Sequence, residues 1–71
     1  MDDRERELLT GMGNCYEACH EDYEETVEMV AHSRHREVDE VKATLARMRD
    51  MYGGDPDYRA LRRRVPDSFP F

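Results

Sequence analysis

Residues 15–30, Cys-Tyr-Glu-Ala-Cys-His-Glu-Asp-Tyr-Glu-Glu-Thr-Val-Glu-Met-Val, hold six acids and no Lys or Arg. An apolar row passes through them. Leu9, Met12, Tyr16, Cys19, Tyr23, Thr26 and Val30 follow one another at alternating steps of three and four. That spacing places them on one helical face. Leu8, Cys15, Val27 and Met29 flank the row and widen it, which suits a helix packed on two neighbours. The stretch therefore predicts a helix over about 14–31, with Asn14 as its N-cap. Upstream, residues 2–9 read as a helix start with acids in the first turn. Gly11 and Gly13 then call for a break, a kink or a close helix contact.

A second row, Val38, Val41, Leu45, Met48 and Tyr52, repeats the three–four spacing out of phase with the first. The polar link between them, Ala31 to Arg36, lacks Gly and Pro. Ser33 capping a second helix over about 34–52 gives an antiparallel hairpin, which is the expected arrangement. A single long rod with a phase shift is the alternative. Gly53-Gly54 supply the stop. Asp55-Pro56 then open a short helix over about 56–64, with Asp at the cap and Pro at the first position. Tyr58, Leu61 and Val65 share a face of it, Pro66 ends it, and residues 65–71 form an ordered aromatic tail.

The fold class expected is all-α, in one domain over residues 1–71. Hydrophobic residues are 38% of the chain and Trp is absent. A core that thin is expected to be completed by a second copy, as a dimeric four-helix bundle. Tyr16, Cys19, Tyr23, Val30, Val41, Leu45 and Met48 are the residues expected to hold the assembly. The net charge of −6 opposes direct binding to nucleic acid or anionic membrane. No apolar run is long enough to span a bilayer. The first residues, MDDRERELL, are charged where a secretion signal is apolar, so a cytoplasmic setting is expected.

Cys15-x3-Cys19, twelve residues and His32-x2-His35 are similar to the spacing of Cys2His2 zinc fingers, with Tyr23 and Met29 at the finger's two core positions. The resemblance implies a zinc ion on Cys15, Cys19, His32 and His35, and a zinc-stabilised mini-domain is one alternative reading. It departs from the pattern in its short final gap and in lacking a turn residue between the thiols. A helix over 14–31 also holds Cys19 and His32 about 20 Å apart at 1.5 Å per residue. Finger and helix exclude each other, and two buried apolar cysteines without a cofactor are expected instead. No catalytic residue is expected. Cys15 or Cys19 with His20 is the only nucleophile–base pair, and His20 points about 100° away from Cys19 around a helix.

Glu17, Glu21, Glu24 and Glu28 lie opposite the apolar row, and such pairs at i, i+4 repel by a few tenths of a kcal/mol each. As a functional surface they would dock a protein partner with a basic groove. Small inhibitors of nucleic-acid enzymes encoded by mobile elements often work by such mimicry of phosphate. The function expected is a non-enzymatic interaction protein of this kind. Arg59, Arg62 and Arg63 share one side of the short helix, with Arg64 elsewhere. They balance the acids or, in the other alternative, form a site by which an oligomer sequesters a small nucleotide-like anion. The tail, Asp67-Ser-Phe-Pro-Phe71, resembles the Asp-Ile-Pro-Phe terminus of bacterial single-stranded-DNA-binding proteins, which partners capture by its last Phe and carboxylate. It departs at Phe69 and in the basic run before it. Phe69 and Phe71 are expected to tuck onto the helices.

Overall fold

The computed structural model describes residues 1–71 as four helices: α1 (Asp3–Cys15), α2 (Tyr23–Ser33), α3 (Val38–Tyr52) and α4 (Pro56–Arg62). The first three pack on one another and α4 packs on α1. A helix over residues 14–52 would be about 58 Å long at 1.5 Å per residue. The longest axis of the molecule is 27 Å. The chain is therefore folded back between α2 and α3, and the rod is excluded. No helix is long and apolar enough to cross a membrane.

The single helix expected over 14–31 is two helices separated by a turn over 16–22. Hydrogen bonds show how the first ends. Glu21 N–H donates to the Tyr16 carbonyl at 2.8 Å and His20 N–H to the Glu17 carbonyl at 3.3 Å. This is a Schellman closure, with His20 in the left-handed region at φ 58. Glu21 follows at φ 56. Asp22 then starts α2, its carboxylate accepting from Glu25 N–H at 2.9 Å. The break falls where acids repel at i, i+4, so propagating the helix gains least there. Asn14 is no cap; its side-chain oxygen accepts from the Arg64 guanidinium at 3.0 Å.

The link before α3 repeats the device. Arg36 N–H donates to the Ala31 carbonyl at 2.9 Å, His35 N–H to the His32 carbonyl at 3.2 Å, and His35 has φ 55. A histidine takes the place a glycine usually fills. Ser33 is the last residue of α2 rather than a cap, and α3 begins at Val38, four residues later than the 34 expected. A left-handed L-residue is strained by about 1–2 kcal/mol, and glycine is not. His35→Gly is therefore expected to raise stability by about 1 kcal/mol in urea denaturation; a mid-helix glycine in a rod would instead lower it by about as much. A drop would contradict the turn.

Further on, α3 ends before Gly53-Gly54, and Asp55 caps α4 by accepting from Asp57 N–H at 2.8 Å and Tyr58 N–H at 3.2 Å. The short helix stops at Arg62, two residues before the 64 expected. Gly11 and Gly13 break nothing. They let other chain segments approach α1: a Cβ on Gly11 would sit 3.4 Å from Val30, and one on Gly13 3.2 Å from Arg64 Cβ. Ahead of them, Asp2 and Glu5 form a capping box that starts α1. Buried Glu5 also accepts from the Tyr52 hydroxyl at 2.9 Å, tying the start of α1 to the end of α3. That hydrogen bond, with burial, holds the Tyr52 phenol above its ordinary value.

The core joins Leu8, Leu9 and Met12 of α1, Val27 and Val30 of α2, and Val41, Leu45 and Met48 of α3. Phe69 and Phe71 close it from the tail, both buried as expected. Phe69 meets Tyr16 and Tyr23 edge-on, at ring-centroid distances of 6.5 and 5.5 Å. The tail thus packs on the acidic turn and supplies apolar area that the two helical rows lack.

Candidate functional site

Five of the seven residues expected to hold two copies together are buried within one chain. Cys19, Val30, Val41, Leu45 and Met48 are buried, and Tyr16 and Tyr23 are half-buried under the tail. Within the chain, α1 packs on α2, α3 and α4, and α2 packs on α1 and α3. Cys15, Cys19, His32 and His35 do not converge, and no three acidic, Cys or His side chains could hold one metal ion. Cys15 ends α1, Cys19 is buried in the turn, and His32 and His35 stand in solvent beyond the middle of α2. Both thiols are free.

The acidic surface comes from two pieces of chain rather than one helix. Glu17 and Glu21 stand on the turn over 16–22, and Glu24, Glu25 and Glu28 on the outer side of α2, all exposed. The pieces are joined at Cys19, whose Sγ lies 3.7 Å from Met29 Sδ. Met29 itself is 44% exposed, an apolar side chain set among acids. Glu24 pairs with Lys42 at 2.5 Å and Glu25 with His20 at 3.2 Å. Glu17, Glu21 and Glu28 have no ion-pair partner.

A cationic cleft of about 380 Å³ is built by α3, α4 and the end of the tail. Arg59, Arg62 and Arg63 line it together, with Arg49, Tyr58 and Phe71. Arg64 is turned away onto Asn14. Arg62 is largely committed. Its guanidinium donates to the main-chain oxygens of Val65, Pro66, Phe69 and Phe71, at 3.1–3.2 Å, and lies 4.7 Å from the Phe71 ring centroid. It is first of all the clamp on the tail. A second cleft, of about 320 Å³, is lined by Arg4, Glu7, Leu8, Arg34 and Arg36. Its charges are largely spent inside the chain, in Arg34–Glu7 at 3.6 Å and in Arg36–Glu40.

Sequence reasoning did not single out Arg49 or the exposed side of Met29, and it read Tyr58 only as part of an apolar face. Arg49 lies ten residues before Arg59, on another helix, so only the packing of α3 near α4 places it in the cleft. Fold and surface together define an all-α four-helix protein with an acidic face and a separate cationic cleft. No family model, curated protein or solved structure matches the chain.

Proposed function

We propose that the protein is a non-enzymatic interaction module that docks a protein partner with a basic, amphipathic surface. The observation that supports this most directly is the setting of Met29, an exposed apolar side chain bordered by acids of which Glu28 is unpaired. Interfaces are commonly built in this way, with an adaptable apolar centre and a charged rim. Unpaired rim acids chiefly speed encounter and set partner choice. A basic groove that normally holds nucleic-acid phosphate is the complementary surface, which matches inhibitors that work by charge mimicry. Self-association through exposed side chains such as Met29 and Met51 belongs to the same proposal, since Cys19, Val30, Val41, Leu45 and Met48 are buried within one chain.

The test uses an amphipathic helical peptide with Lys on one face and Leu on the other, followed by fluorescence anisotropy. Glu17→Lys/Glu21→Lys/Glu28→Lys leaves the Glu24–Lys42 pair intact. It is expected to weaken binding by about tenfold or more, and added salt is expected to weaken the parent's binding too. Its melting temperature should hold or rise slightly, since like charges are removed from the crowded acidic surface of the turn and α2. Equal affinity in parent and variant would reduce the acidic face to a solubility device.

A further inference from the structure

Residues 55–71 are bonded mainly to one another. Every main-chain hydrogen bond donated from Arg59 onward ends inside this segment. Arg62 adds its guanidinium bonds to the carbonyls of Val65, Pro66, Phe69 and Phe71, so α4 and the tail form one unit. A single main-chain bond, from Asp55 N–H to the Tyr52 carbonyl at 2.9 Å, joins the unit to the rest of the chain. Two side-chain hydrogen bonds cross as well, Arg6 to Asp57 at 3.5 Å and Arg64 to Asn14 at 3.0 Å, both exposed. Burial of Tyr58, Val65, Phe69 and Phe71 supplies the remaining attachment. Phe69 and Phe71 sit against the Tyr23 ring, at centroid distances of 5.5 and 6.2 Å. On its other side the unit stands off α3 across the cationic cleft.

The joint is Gly53-Gly54, between the end of α3 and the Asp55 cap. Neither glycine has a positive φ, and a Cβ on Gly54 would meet no atom within 4 Å. The closed turn does not require glycine at 54, and its conformational freedom is used when the turn opens. A segment bonded within itself and held to its neighbours by side-chain burial opens as a unit, below the free energy of global unfolding. Opening bares apolar surface on both parts, on the unit and around Tyr16 and Tyr23. The best complement to each part is the matching part of a second copy, because it offers the same contacts in full. We infer that residues 55–71 are an exchangeable unit hinged at Gly53-Gly54, and that two copies associate by swapping it. In that dimer α1, α2 and α3 stay packed within each chain. The inference is independent of the acidic face.

Hydrogen exchange of the parent chain, followed by NMR, tests the unit. The amides of Arg59, Arg63, Val65 and Phe69 are expected to share one opening equilibrium, with protection about tenfold or more below that of the middle of α3. Unrelated values, or protection equal to that of α3, would overturn it. Mass in solution tests the exchange. A dimer is expected at millimolar concentration, and it should revert slowly on dilution, because reversal needs the unit to open. A dimer made by surface contacts separates at once. Isotope-filtered NMR on a dimer of labelled and unlabelled chains should place Phe69 of one copy against Tyr23 of the other. Deleting Gly53 and Gly54 should lower the dimer Kd about tenfold or more, and inserting a few residues between them should raise it as much, because a short joint hinders closure within one chain. The parent's own exchange and mass decide the matter if the deletion variant does not fold. A parent that stays monomeric at millimolar concentration, a dimer without the cross-copy ring contact, or a dimer indifferent to a longer joint overturns the inference. Met29→Lys/Met51→Lys should leave the dimer intact, and its loss there would assign association to the exposed methionines instead. Glu17→Lys/Glu21→Lys/Glu28→Lys should also leave it intact, which separates this result from the fate of the docking proposal.

Discussion

Arg62→Ala is expected to lose about 3 kcal/mol of stability, a large share of the roughly 4–10 kcal/mol that a chain of this length has. One guanidinium satisfies the main-chain oxygens of Val65, Pro66, Phe69 and Phe71 and covers the Phe71 ring. Hydrogen bonds from a charged donor contribute about 1.5–3 kcal/mol each, and they are not additive. Arg62 is half-buried, so water replaces part of what is lost and the sum stays near the value of two such bonds. The tail then loosens from Tyr16 and Tyr23, and part of the aromatic contact goes with it. Lysine should recover less than half, because three donors on a point charge cannot reproduce the planar fork. Urea denaturation gives the magnitude, and the ring-shifted NMR signals of Phe69 and Phe71 show whether the tail has left. A loss under about 1 kcal/mol would mean that the two rings anchor the tail without the clamp.

Leu45→Ala is expected to cost about 3 kcal/mol, within the 2–5 kcal/mol range for a leucine in a tightly packed core. Leu45 has no exposed surface and lies on the face of α3 that meets α1 and α2. With a urea slope of about 1 kcal/mol per molar for so small a domain, the midpoint should fall by about 3 M. The loss should be the same at every protein concentration, because the cavity opens inside one chain. A loss that grows on dilution would mean that the core is shared between copies.

Much of the fold was legible in local chemistry. The row from Val38 to Tyr52 is helix α3 from end to end, since it is a clean helical pattern with a glycine stop, although the expected start is residue 34. Asp55-Pro56 cap α4 because an aspartate side chain and a proline ring favour that geometry wherever they sit. The turn over 16–22 was harder to see. Tyr16, Cys19 and Tyr23 do face the interior, but turn residues can do this as well as helical ones, and the spacing alone does not separate the two. A signal was present in Asp22 and Glu25, which repeat the spacing of the Asp2–Glu5 capping box. No comparable signal marks His20 or His35, because a histidine enters the left-handed region only when the surrounding fold holds it there.

The candidate sites divide in the same way. The acids at Glu17, Glu21, Glu24 and Glu28 are exposed wherever the backbone bends, because charge keeps them in water, and the cationic run at Arg59–Arg63 is equally plain in the sequence. What the sequence by itself determined is therefore the all-helical class, the stop of α3, the capped start of α4 and the sign of each surface, all of which rest on local propensity and solvation. Only the tertiary structure decided that the stripe is largely buried within one chain, that Arg62 is spent on the tail, and that Arg49 and Tyr58 line a cleft with Arg59 and Arg63. These depend on contacts between segments far apart in the sequence, and no periodicity or composition encodes which distant groups will meet.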